Sequence, residues 1–205
     1  MKTSEWAAAH GICVEDVVPS APVLEELGRR AADEVAKRAL VLHGVVAVAD
    51  GVEVEPVVNW FKQEKIWPHV SPKETLFLDG RKPTDEEIGS ARWRQEAQWA
   101  LLWAIGKVDF LGLPIGTCDT AKLVDKIMPA LGESVVGFVK SAKMRSPEEL
   151  LAEDDRVYNL HCLAVKAYRE GKMPEDLVYG VLFQRCYALE WLGGDEGWDE
   201  VETDT

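Results

Sequence analysis

The stretch TDEEIGSARWRQEAQWALLWAIG, residues 84–106, constrains the fold of this chain more than any other. From Ala97 to Ile105 every position but Gln98 is apolar, so a helix here has no polar face. A helix apolar all round runs through the middle of a domain rather than over its surface. Arg94 and Glu96 nevertheless enter it beside Trp93, Trp99 and Trp103. Charges in such a place need partners, and a second element must supply them.

Start and stop signals arrange further helices around this centre. Ser71-Pro72-x-Glu74 and Ser146-Pro147-x-Glu149 join a capping box to a proline at the first helical position, and Thr84-x-x-Glu87 is a third box. Apolar periodicity predicts a helix over 22–49, with Leu24, Leu27, Ala31, Val35, Ala39 and Leu42 on one stripe. Further helices are predicted over 53–64, 72–78, 119–128, 129–142, 147–169 and 175–192. Residues 12–18 read as a short strand or an extended arm stopped by Pro19 and Pro22. The tail, 195–205, carries acids and no base, which alone reads as disordered, but Trp198 and Val201 argue that it packs back. The expected architecture is all-α: a single compact helical domain of about seven to nine helices over 22–194, with a short N-terminal extended arm at 1–21 and a docked acidic C-terminal tail.

Composition narrows the partners. A net charge of −13, from 36 acidic and 23 basic residues, repels phosphate backbones and anionic membrane surfaces. No nucleic acid and no membrane is expected, whereas a basic protein would be steered towards the surface. Eight tryptophans suit large anchors in the core and leave a homo-oligomer open. Cys13, Cys118, Cys162 and Cys186 lie far apart, with no CxxC and no Cys/His pair at zinc spacing. No signal peptide is evident, no apolar run is long enough for a membrane span, and a reducing cytoplasm is the natural setting. No metal and no cofactor is expected. GxSxG, Walker and GxGxxG patterns are absent from the sequence.

Buried charge supplies the site candidates. Arg185 falls in the middle of the apolar stripe made by Val181, Leu182, Ala188, Leu189 and Leu192, and Glu96 is its first candidate partner. An arginine fork suits a bidentate carboxylate contact. The bland reading is an ion pair that fixes helix register; the functional one is a polar pocket. His161 shares a helix face with Asp154, Val157, Tyr158, Val165 and Tyr168, so it is either a half-buried core histidine or an acid–base group.

Several motifs occur together. SPxE is followed by Phe77-Leu78, then WRxEAxxxLLWAIG at 93–106, DRVYNLH at 155–161, QRCYALEWL at 184–192 and WDEVETDT at 198–205. Jointly, over about residues 20–205, they resemble the domain-of-unknown-function family 4272, an uncharacterised bacterial family. The resemblance implies an all-helical cytoplasmic domain and brings no activity. Position by position it matches Trp93, Arg94, Glu96, Asp155, Tyr158 and His161, then Arg185, Trp198, Asp199, Asp204 and Thr205. Asn159, Cys162, Gln184 and Glu190 stand where the family pattern has arginine, tryptophan, glutamate and asparagine.

Two functional readings compete. The first is a soluble protein-binding or adaptor protein, immunity-like, whose acidic surface holds a basic partner. The second is an enzyme or small-ligand-binding protein with a polar cleft between helices. Its catalytic candidates are Glu96, Asp155, His161 and Arg185, and its ligand-binding candidates are Arg94, Tyr158 and Asp199.

Overall fold

A computed structural model describes residues 30–171 and 177–203 of the chain. Among them the fold is all-helical, without strands, and forms one compact domain. Its helices are α1 (Ala32–Ala49), α2 (Val54–Gln63), α3 (Pro72–Phe77), α4 (Asp85–Ala104), α5 (Thr120–Lys122), α6 (Val136–Lys140), α7 (Pro147–Arg169) and α8 (Tyr179–Gly193). Single 3-10 turns lie at Trp67–His69 and Trp198–Glu200, and a π-turn at Leu123–Ile127 prolongs α5. No described helix is long and apolar enough to cross a membrane.

The all-round apolar helix is the centre, as its pattern demands. α4 packs on α1 along one side and on α8 along another, and α8 packs in turn on α7. Leu101 and Leu102 are 0% exposed, and burying each contributes about 1.5–3 kcal/mol. Gln98 reaches α1 by donating to the Ala39 carbonyl at 3.1 Å. Gly44 of α1 lets α2 approach, because a Cβ there would lie 2.3 Å from the Phe61 ring. All three capping boxes form, at Ser71, Thr84 and Ser146, with both halves in place.

Four boundaries differ from the periodicity. α1 begins at Ala32, not near residue 22, since Ala31 is extended at φ −72° and ψ 148°. The preceding Arg30 is drawn away from the helix path: Nε donates to the Trp191 carbonyl at 2.7 Å and Nη2 to the Glu196 carbonyl at 2.6 Å. The helix expected over 129–142 shrinks to α6. Gly132 sits at φ 92°, and α2 holds the loop through Trp60 Nε1 on the Glu133 carbonyl and Glu64 Oε2 on the Val135 N–H. In the helix expected over 119–128, the Met128 N–H reaches back to the Leu123 carbonyl at 2.9 Å, which widens the last turn to π. α8 starts at Tyr179, because the Val178 N–H is spent on the Pro114 carbonyl at 2.9 Å. The expected arm at 1–21, the stripe positions Leu24 and Leu27, Glu175, Asp204 and Thr205 lie outside the described residues.

Residues 196–201 run back over the helices. Trp198 is buried, edge-on to Tyr187 at 5.0 Å and to Trp191 at 5.4 Å. The Tyr187 hydroxyl donates to the Trp198 carbonyl. Asp199 accepts from Ser71 Oγ and from the Lys73 N–H, both at 2.8 Å, and so ties the turn to the start of α3.

Candidate functional site

Arg94 and Glu96 are two residues apart on α4 and end in different surroundings. Glu96 is 0% exposed and Arg185 of α8 is 3% exposed. Arg185 donates through Nε and Nη2 to the single oxygen Glu96 Oε2, at 3.2 and 3.1 Å. The other oxygen, Oε1, accepts the Cys118 N–H, and Arg185 Nη1 donates to the Gly112 carbonyl at 2.9 Å. The contact is therefore not the oxygen-by-oxygen fork that the residue types suggest. It is a closed network in which one oxygen serves the guanidinium and the other a backbone amide. Burial, then the Glu96 charge, pushes the Cys118 thiol well up, so this cysteine is held as an unreactive thiol.

Arg94 reaches the opposite kind of environment. It is half-buried, its guanidinium lies 4.3 Å from the Tyr187 ring centre and 5.3 Å from that of Trp198, and Nη1 donates to Gln184 Oε1 at 3.3 Å. It makes no ion pair with a described residue. The same indole has a second guanidinium, Arg38 of α1, at 4.4 Å. Arg38 is 3% exposed; it pairs with Glu74 and donates to the His69 carbonyl at 2.9 Å. Burial lowers the Arg38 pKa from its ordinary value, and the Glu74 carboxylate opposes that. Burial raises the Tyr187 phenol, and Arg94 opposes that. Two buried donors here, Arg38 Nε and Trp198 Nε1, have no acceptor among the described residues. An unmet buried donor costs about 1–3 kcal/mol.

Trp198 stands between two clefts. One, of about 320 Å³, lies between α3, the first half of α4 and the 198–200 turn, with Phe77, Ser90, Arg94, Trp198 and Asp199 in its walls. The other, of about 270 Å³, is lined by Arg30, Arg38, His69, Trp191 and the far side of Trp198. Glu86, Ser90 and Arg94 follow one another at four-residue spacing, so they form one row down the α4 face of the first cleft.

The remaining candidates gather elsewhere. His161 is 0% exposed, neither ring nitrogen has a hydrogen-bond partner, and it packs on Tyr179 at 5.6 Å and Phe183 at 5.9 Å. Burial lowers its pKa, so the ring is held neutral. Tyr158 is hydrogen-bonded to Cys162, which raises the phenol's pKa. Asp155 accepts from Asn159 Nδ2 through both its carboxyl and its carbonyl. Asp154, one residue earlier, is buried with its pKa pushed up to about 7, first by burial and then by Glu190 and Asp155. The structure thus brings Glu96 to Arg185, and it puts Arg94 and Asp199 in the walls of one cleft without an ion pair between them. It places His161 in an aromatic cluster between α7 and α8, and none of Glu96, His161 and Arg185 lines either cleft beside Trp198. No group of three or more metal-ligating side chains converges among the described residues.

Sequence reasoning passed over Arg38, Glu74 and Tyr187. Arg38 carried the same signal as Arg185, a charge inside an apolar helical stripe. Glu74 was hidden by its first role: Oε2 completes the capping box on the Ser71 N–H while Oε1 meets Arg38.

Residues 1–201 match the family described as "Domain of unknown function (DUF4272)", and the chain belongs to that family. No curated protein and no solved structure matches the chain.

Proposed function

We propose that this is a binding protein for a small organic anion, seated in the cleft between α3, the first half of α4 and the Trp198–Glu200 turn. The observation that carries this reading is the half-buried Arg94 guanidinium, which faces aromatic rings and a neutral amide and pairs with no carboxylate among the described residues. A positive charge in such a place gains most from an anion brought to it. The cleft's walls also offer Val45, Phe77 and Ala91. Apolar walls with a few placed polar groups are how small-molecule sites are built, and the volume lies at the lower end of their usual range. Among the lining residues no nucleophile stands hydrogen-bonded to a base, so binding rather than catalysis is the reading supported. Titration of the isotope-labelled protein with small organic acids, followed by NMR, tests it. Saturable shifts are expected at Ser90, Ala91, Arg94 and the Trp198 indole. Their absence with every acid tried sinks the proposal.

The net charge of −13 favours a second reading, an adaptor that holds a basic protein partner on an acidic surface. Free Cys118, Cys162 and Cys186 suit a reducing, cytoplasmic setting for either. Capture from a host lysate at low salt is expected to recover one stoichiometric basic protein that high salt releases. Recovery of none counts against this reading.

A further inference from the structure

We infer that the ligand of the Arg94 cleft is a monocarboxylate with an apolar body. This rests on the cleft binding a small anion at all. Three of the four carboxylates that line the cleft already have partners. Glu74 is met by Arg38, and Glu87 by both terminal nitrogens of Arg81. Asp199 is met by Ser71 Oγ and the Lys73 amide. Lys73 Nζ is turned to the Asp199 backbone carbonyl at 3.5 Å, and Arg94 is the guanidinium of the cleft that meets no carboxylate of a described residue.

A second negative charge has the carboxylates of the walls to face. Glu86 stands exposed two turns from Arg94 in the same row, with the small Ser90 between them. It repels an anionic group at the outer end, and Glu74 and Asp199 repel one at the inner end. A dianionic phosphate is disfavoured for the same reason. The Arg94 face rests on Tyr187, which leaves its edge donors for a planar carboxylate. Its bond to Gln184 at 3.3 Å is long and neutral and yields readily to a charged acceptor. Trp198 is 5% exposed, lines the cleft and holds an indole N–H without an acceptor among the described residues. Val45, Leu76, Phe77 and Ala91 take the hydrocarbon.

The experiment compares four probes of one chain length on the intact protein by NMR titration: hexanoate, hexanedioate, hexyl phosphate and hexanol. Hexanoate is expected to bind at least about tenfold more tightly than each of the others, the difference a charged hydrogen bond makes. Arg94→Gln and Ser90→Glu are each expected to weaken hexanoate by about tenfold or more. Ser90 is exposed, so its variant carries the test if Arg94→Gln disturbs the fold. Hexyl phosphate or hexanedioate binding as tightly as hexanoate, with the same dependence on Arg94, overturns the monocarboxylate while the anion site stands. Hexanol binding as tightly as hexanoate overturns the role of Arg94. No probe shifting any cleft resonance overturns the anion site itself.

Discussion

Arg185 and Arg94 are both arginines at the contact between α4 and α8, and they solve the problem of a buried charge in opposite ways. Arg185 spends three nitrogens on Glu96 and the Gly112 carbonyl, and Glu96 spends its free oxygen on the Cys118 amide. Every strong valence is closed inside the protein, so nothing is left for a ligand to gain. Arg94 rests on two aromatic rings and one neutral amide. Its charge is sheltered but unmatched. A satisfied buried charge is scaffold, because it fixes how helices register and costs heavily when broken. A sheltered, unmatched charge beside a cleft is a place where binding energy is still available.

The largest expected effect breaks the scaffold side. Arg185→Ala strands Glu96 at 0% exposure with only a backbone amide for company. We expect a loss of about 3–5 kcal/mol, read as a fall in the urea midpoint. At about 2–4 °C per kcal/mol for a chain of this size, the melting temperature falls by roughly ten degrees. A loss below about 1 kcal/mol would mean that the carboxylate finds water or another partner, and the pair would cease to be scaffold.

Asp154 sharpens the contrast from the acidic side. It is buried too, at 8% exposed, and is faced by Glu190 and Asp155. Its folded pKa of about 7 lies above the ordinary 3.8. Between those values the folded protein binds more protons than the unfolded chain, so the contribution of this group to stability falls as pH rises from about 4 to about 7. Asp154→Asn removes that slope. The variant is expected to gain on the wild type as pH rises from about 5 to about 8, by on the order of 1–2 kcal/mol. Parallel denaturation curves at the two pH values would show that Asp154 is ionised throughout.

These contrasts also mark what the sequence could tell. The centre of the fold was legible because 97–105 has no polar face and three capping boxes announce where helices start. The Glu96–Arg185 pair was legible because each charge sits in its own helix's apolar stripe, and two such charges must meet. Periodicity overreached where a loop is held by tertiary bonds, as at Gly132 between the Trp60 and Glu64 anchors. His161 shows a different limit. A helical wheel ranks neighbours on one helix, and the groups that surround this ring, Tyr179 and Phe183, belong to another. The cleft was the least legible part, because it exists only where the last turn lands. Trp198 has to come back beside Arg38 of α1 and Arg94 of α4 before there is a wall to line. Arg94 and Asp199 could be named as polar residues of interest, but their juxtaposition could not.

The smallest effect on stability is expected at the ligand side, and it tests the comparison most directly. Arg94→Gln removes a charge without stranding one, because no carboxylate among the described residues depends on Arg94. The glutamine can still meet Gln184. What is lost is the cation–π contact with Tyr187 at 4.3 Å and the weaker one with Trp198 at 5.3 Å. Such contacts are worth about 0.5–1 kcal/mol each where partly exposed, and the glutamine's own packing returns part of that. The urea midpoint should therefore move by less than about 1 kcal/mol, several-fold less than for Arg185→Ala. Two arginines of similar chemistry at one helix contact would then differ mainly in whether an acid waits for them. If Arg94→Gln instead costs more than about 3 kcal/mol, Arg94 is scaffold as Arg185 is. The sheltered charge would then already be matched by the two rings, and the cleft beside it would have nothing to offer an anion.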